Sequence, residues 1–115
     1  TLASPASAEL KERCRSLGVR VALEAFPDRA YTDDGTLMPR GRDGAVMSDA
    51  EEIARRAVAM VRDGCVESVN GRRIELEIDT LCVHGDNRES IAASPLIREH
   101  AAREGMAVKP LYSFV

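Results

Sequence analysis

The apolar positions of this chain switch repeatedly between the 3.6-residue period of helices and the short dense runs of strands. Ser4-Pro5 starts a helical pattern with proline at the first helical position. Leu10, Cys14 and Leu17 then share a face and Gly18 ends it, which predicts a helix over 5–17. Residues 19–26 are apolar except for Arg20 and Glu24, as expected of a strand buried on both faces. Ser48 with Glu51 three residues on makes a capping box, and Ile53, Ala57, Val58 and Val61 form the stripe of a helix that Gly64 stops. Asn70-Gly71 joins 65–69 to 72–78 as a hairpin, with a type I′ turn expected. A strand over 80–83 follows, then a helix over 89–104 that Ser94-Pro95 either kinks or restarts, and a short last strand at 106–108.

Helix, strand, long loop, helix, hairpin, strand, helix, strand is an α/β order, with crossover helices on a parallel sheet and a small β-hairpin excursion. A (β/α) barrel takes about 250 residues. These 115 residues are therefore expected to form a single partial domain, 1–115, supplying less than half of one. The loop over 27–44 is rich in turns and charge, and loops of that length usually carry function.

Composition narrows the class. At 44% hydrophobic and 30% charged the chain has the make-up of a folded globular protein, and with four aromatics its core must be aliphatic and alanine-rich. A net charge of -3 without a basic face argues against nucleic acid as partner. Three cysteines without paired spacing fit neither a disulfide framework nor a zinc site, and point to a reducing, cytoplasmic setting. Apolar runs stay far short of the roughly 20 residues of a membrane helix, so no membrane role is expected. The start at Thr1, without a signal pattern, suggests a trimmed or truncated product.

The richest chemistry lies in Leu81-Cys82-Val83-His84-Gly85-Asp86-Asn87, where an imidazole and a carboxylate flank a glycine at a strand's end. The strand period places Thr80, Cys82 and His84 on one face, so Cys82 and His84 point toward the interior near its mouth. The plainer alternative is a structural histidine followed by an ordinary turn that caps the next helix.

Four stretches carry a resemblance: residues 24–31 (Glu24 to Tyr31), residues 34–40 (Asp34 to Arg40), Gly44-Ala45-Val46, and residues 79–87 (Asp79 to Asn87). In order and spacing they resemble the LamB/YcsF family, the 5-oxoprolinase A-subunit, over roughly residues 17–105, its C-terminal half. The family's Asp-Leu-Asn-Cys-Asp-Leu-Gly-Glu and His-Ala-Gly-Asp motifs do not occur here. Pro27 stands where the family usually has alanine, and Arg88 where proline commonly follows the asparagine. The resemblance implies the C-terminal part of an incomplete (β/α) barrel of the glycoside hydrolase/deacetylase type. It also implies an enzyme that opens 5-oxoproline to L-glutamate with ATP, together with the B- and C-subunits of 5-oxoprolinase.

Opening a resonance-stabilised lactam requires carbonyl activation and water attack assisted by a base. On this reading His84 takes the proton, Asp86 orients the water or binds a cation, and Glu24 completes the polar mouth, the alternative being that Glu24 makes a rim ion pair with Arg20 or Arg29. Arg29 and Arg40 are the candidates for the substrate carboxylate or a phosphoryl group, since guanidinium matches either oxyanion. Asp28 and Tyr31 are placed with them as substrate-binding residues, the alternatives being that Asp28 and Arg29 only pin the loop and that Tyr31, instead of closing over the site, buries its ring with Phe26. Cys82 is expected only to pack, and Arg55, Arg56 and Arg62 to form a solvated helix face. His84 and Asp86 supply two ligands toward a divalent metal, with further ligands needed from elsewhere. The piece alone is expected to be inactive and, with open sheet edges, to self-associate. Two rivals are a split, non-catalytic protein that only docks with partners, and a metal-dependent carbohydrate deacetylase.

Overall fold

A parallel pair of strands from distant parts of the sequence aligns the two segments that matter most. The computed structural model describes residues 5–114, with side chains described from residue 8 on. In chain order the elements are α1 (Pro5–Ser16), β1 (Glu24–Ala25), α2 (Ala50–Asp63), β2 (Cys65–Glu67), β3 (Arg73–Glu75), β4 (Thr80–Leu81) and α3 (Arg88–Arg103), then a 3-10 turn at Leu111–Ser113. Strands β1 and β4 pair in parallel, Glu24 opposite Thr80 and Ala25 opposite Leu81. Asp79 extends the ladder: its carboxylate accepts the Leu23 amide at 2.9 Å while its own amide donates to the Leu23 carbonyl at 2.8 Å. Cys82 N–H continues it to the Ala25 carbonyl, also at 2.8 Å. Equal register sends the chain after Ala25 and the chain after Leu81 off the same end of the pair.

The α/β alternation and the hairpin excursion stand as the sequence predicts, with differences in detail. Around β1 only one face is covered: Leu23 and Ala25 are buried, Glu24 is exposed and Val19 is half exposed. Burial therefore alternates, because among the described residues β1 is paired on one side only. The face of α1 that carries Leu10 and Leu17 is likewise open, at 63% and 72% exposure. The predicted cap Ser4 lies outside the described residues.

Helix α2 starts one residue later than the capping-box pattern predicts. Asp49 is its N-cap, with an extended backbone and a carboxylate that accepts the Glu51 and Glu52 amides at 2.9 and 3.1 Å. An anionic cap also suits the positive end of the helix. Gly64 closes the helix in the left-handed region at φ 63°, and its amide returns to the Met60 carbonyl.

Strands β2 and β3 pair antiparallel, but not through a type I′ turn. Ser68 N–H donates to the Arg72 carbonyl and Gly71 N–H to the Ser68 carbonyl, which makes a three-residue loop. Only Gly71 has positive φ, so Asn70 is spared the left-handed conformation.

Pro95 lies inside a continuous α3, because its missing N–H frees only the Ile91 carbonyl, and both residues are on the exposed side. The strand predicted at 106–108 does not form. Gly105 is left-handed, its amide is spent on Ala102 and that of Met106 on Ala101, so these groups close α3 instead of joining a sheet.

The core cluster comprises Ala25, Tyr31, Met60, Val66, Ile74 and Leu76, with Leu37, Ile78 and Leu81 packed against it. It sits where α2, the hairpin and the β1–β4 pair meet, and it fixes the near end of the loop that follows β1. That loop is folded on itself: Ala30 N–H donates to Ala45, Met47 N–H to Asp28 and Met38 N–H to Ala30, with bridges Arg29–Val46 and Tyr31–Leu37.

Candidate active site

Asp28 and His84 each follow their strand by the same number of residues, so the parallel register brings them together at the strands' C-terminal end. Asp28 is 1% exposed. His84 Nδ1 lies 2.7 Å from Asp28 Oδ2 and 2.9 Å from Oδ1. Ser90 Oγ, from the first turn of α3, donates to Oδ2 at 2.7 Å, and Asn87 Nδ2 approaches the same oxygen at 3.5 Å. Burial would push the Asp28 carboxyl up, but the hydrogen bonds from Ser90 and His84, the His84 charge and Asn87 outweigh it and hold the group below its ordinary value. An ionised carboxylate only accepts, so Nδ1 is a donor, and in the neutral ring the lone pair is on Nε2. The imidazole is fixed on its other side by stacking against Phe26, centroids 5.6 Å apart and planes 11° from parallel.

His84 Nε2 faces Cys82 Sγ at 3.7 Å. Burial pushes the Cys82 thiol up, and the Glu24 and Asp28 carboxylates push it further, so the sulfur stays protonated. Glu24, Cys82, His84 and Asp28 thus form a short line across the ends of β1 and β4.

Beside this line is a cleft of about 280 Å³ lined by Asp28, Arg40, Val46, His84, Asp86, Asn87, Arg88 and Glu89. Arg40 comes from the long loop and Asp86 from the turn after β4, and they pair at 3.2 Å, both well exposed.

The structure brings His84, Asp86, Asp28 and Arg40 to the cleft and leaves the other predicted residues around it. Glu24 touches the site through Cys82 rather than through the cleft. Arg29 is buried and donates to the Met38 carbonyl at 2.7 Å. Tyr31 is 0% exposed, a core residue whose hydroxyl accepts the Phe26 amide at 3.1 Å. Among the described residues no three His, Cys, Asp or Glu side chains gather as metal ligands.

Sequence reasoning missed three supports. Arg56, expected on a solvated face, points inward: its guanidinium donates to the Pro27 and Arg29 carbonyls at 2.6 and 2.7 Å and lies over the Tyr31 ring at 5.8 Å. It clamps the backbone on both sides of Asp28. The signal available was its place two residues from Ala54 and one from Ala57, both buried, at the edge of the apolar stripe. Ser90, three residues after the cap, looks like any first-turn serine. Asn87 was legible as a cap, accepting the Glu89 amide at 3.1 Å, but its second role toward Asp28 and the Met47 carbonyl appears only in three dimensions.

The profile of the LamB/YcsF family matches residues 1–115. The chain belongs to that family. It is 49% identical over 110 residues to a Pyrococcus furiosus protein named as the 5-oxoprolinase A-subunit, covering 96% of this chain and 43% of that one. A Pyrococcus abyssi protein of the same name is 48% identical over 115 residues, which is 100% of this chain and 44% of the relative. Among solved structures, a Thermus thermophilus lactam utilization protein superposes with a TM-score of 0.76 at 40% identity, over 86% of this chain and 39% of that one. This LamB/YcsF chain thus spans less than half the length of the relatives it matches. Over the part that superposes, its fold is that of the Thermus thermophilus protein. Among the described residues no helix is long and apolar enough to cross a membrane.

Proposed function

We propose that this chain carries the general-base half of a site that opens 5-oxoproline to L-glutamate by hydrolysis, the ATP-dependent activation being carried out with the partner B- and C-subunits. The observation that carries this reading is the buried Asp28 carboxylate on His84 Nδ1, which in the neutral ring makes Nε2, beside the Cys82 thiol, the proton acceptor at the edge of a cleft. The names of the relatives, 5-oxoprolinase A-subunit and lactam utilization protein, support the substrate class.

The steps assigned to this chain are limited to what its residues can do. Nε2 of His84 takes a proton from water as that water attacks the activated carbonyl, and Asp28 stabilises the imidazolium that forms. Arg40, held at the cleft by Asp86, presents a guanidinium to the oxygen that gains charge. Toward a divalent ion His84 would offer Nε2, since Nδ1 is held by Asp28, while Asp86 would first have to leave Arg40.

Glutamate release by the protein bearing this segment, assayed with its partners and ATP, tests the reading. His84→Gln should lower the rate by about 10²–10⁴-fold, the usual worth of a general base. A rate within a few-fold of the parent would remove His84 from the chemistry.

A further inference from the structure

Arg29 is buried beside the cleft without the partners that its charge requires. It is 7% exposed, and its guanidinium makes a single hydrogen bond, from Nη2 to the Met38 carbonyl at 2.7 Å. Nε is buried and has no hydrogen-bond partner. Among the described residues no carboxylate pairs with it: neighbouring Asp28 is met by His84, Ser90 and Asn87, and Asp86 is taken by Arg40. An arginine keeps its charge when buried, so a guanidinium inside a protein without a counter-charge is costly and calls for an anion. The loop does not need that charge, since Arg56 holds the Arg29 carbonyl and a neutral donor would serve Met38.

Two contacts aim this group at the cleft. Arg29 stands opposite Val46 in an antiparallel bridge. The flanking bonds, Ala30 N–H to the Ala45 carbonyl and Met47 N–H to the Asp28 carbonyl, make it the close, non-hydrogen-bonded kind of pair, whose two side chains leave the same face. Val46 lines the cleft. The bond to Met38 then ties the guanidinium to the stretch that leads to Arg40, a second cleft residue. Nη1 makes no hydrogen bond among the described residues and is not sealed from solvent, which leaves the group a side from which an oxyanion reaches it.

We infer that Arg29 is the oxyanion anchor of the cleft and takes the carboxylate of 5-oxoproline. The inference rests on the lactam-opening reading and deepens it by naming the group that meets the substrate's charge. Guanidinium presents a planar fork of donors that matches a carboxylate. A phosphoryl group offers the same oxygens, so the test separates the two.

Nitrogen-15 NMR of the arginine Nε–H groups in the full chain, titrated with 5-oxoproline, 2-pyrrolidinone (the same lactam without a carboxylate) and inorganic phosphate, reads this in the parent protein and depends on no variant folding. The Arg29 Nε–H signal should move with 5-oxoproline, saturating along the binding curve from calorimetry, and stay in place with 2-pyrrolidinone. Arg29→Lys, checked for folding by circular dichroism, loses the fork and should weaken 5-oxoproline about tenfold while leaving 2-pyrrolidinone unchanged. A signal that answers phosphate and ignores 5-oxoproline would assign the site to phosphoryl and overturn the carboxylate anchor. So would 5-oxoproline binding that leaves the signal still, no binding of 5-oxoproline, or a response only when the partner subunits are added, which would make Arg29 an interface residue. The hydrolytic reading fails separately: an Arg29 signal that follows 5-oxoproline, in a protein whose glutamate release with its partners ignores His84→Gln, would sink that reading and keep the anchor.

Discussion

Asp28 and Cys82 show how one environment pushes two acids in different directions. The carboxylate gains three donors and ends below its ordinary value, whereas the thiol gains two anionic neighbours and ends above it. For Asp28 the folded value lies under the ordinary 3.8, so its stabilisation is complete above about pH 3.8 and is lost as pH falls further through the folded value. Asp28→Asn should therefore cost about 1.5–3 kcal/mol near neutral pH, the worth of hydrogen bonds to a charged group, and the gap from the parent should shrink below pH 3.8. Urea unfolding at several pH values measures this, and a pH-independent gap would contradict it. For Cys82, removing one anionic neighbour with Glu24→Gln should lower the thiol and speed its alkylation by iodoacetamide at about pH 8, followed by peptide mass spectrometry to separate it from Cys14 and Cys65. Unchanged labelling would mean that Glu24 does not bear on the thiol.

At the scale of elements, what was legible in the sequence was whatever depends on local period and local caps. The stripe Ile53, Ala57, Val58 gave α2, and Gly64 its end, while the Asn70-Gly71 pair located the hairpin though not its loop type. The mouth of the site was legible from His84 and its glycine. What was not legible depends on partners far away in sequence. Residues 106–108 have strand-like composition, yet their first amide is spent on α3. Arg56 looks exposed by period alone, and nothing local says that two carbonyls after β1 await its guanidinium. That clamp is an element-scale prediction: Arg56→Met should leave the Pro27 and Arg29 carbonyls without their donor, costing about 2 kcal/mol in unfolding free energy. Because Asp28 sits between those carbonyls, lactam opening should fall as well. A variant with lost stability and full activity would mean that the clamp serves the fold alone.

For the whole molecule, the distribution of apolar surface stands out. Leu10, Leu17 and Val19 near α1, and Val83 with Leu111, Tyr112 and Phe114 near the C-terminus, are 39–77% exposed, and the β1–β4 pair has open edges among the described residues. Single exposed apolar residues are ordinary, but patches beside an open parallel pair expect cover. The isolated chain should self-associate at micromolar concentration in sedimentation velocity. A monomer that unfolds cooperatively at high dilution would contradict this. The same molecule-wide geometry explains why Glu24, the acid first expected to complete the mouth, stays beside Cys82, while Asp28, four residues later, reaches His84.

All of this depends on Asp28 dictating the state of the His84 ring. Nitrogen-15 NMR of the His84 side chain at about pH 8, above the ordinary imidazole range, reads that state directly. The account predicts a protonated Nδ1 with the lone pair on Nε2 in the parent chain, and loss of that preference in Asp28→Asn. A proton on Nε2 in the parent, or the same tautomer in both proteins, would contradict it.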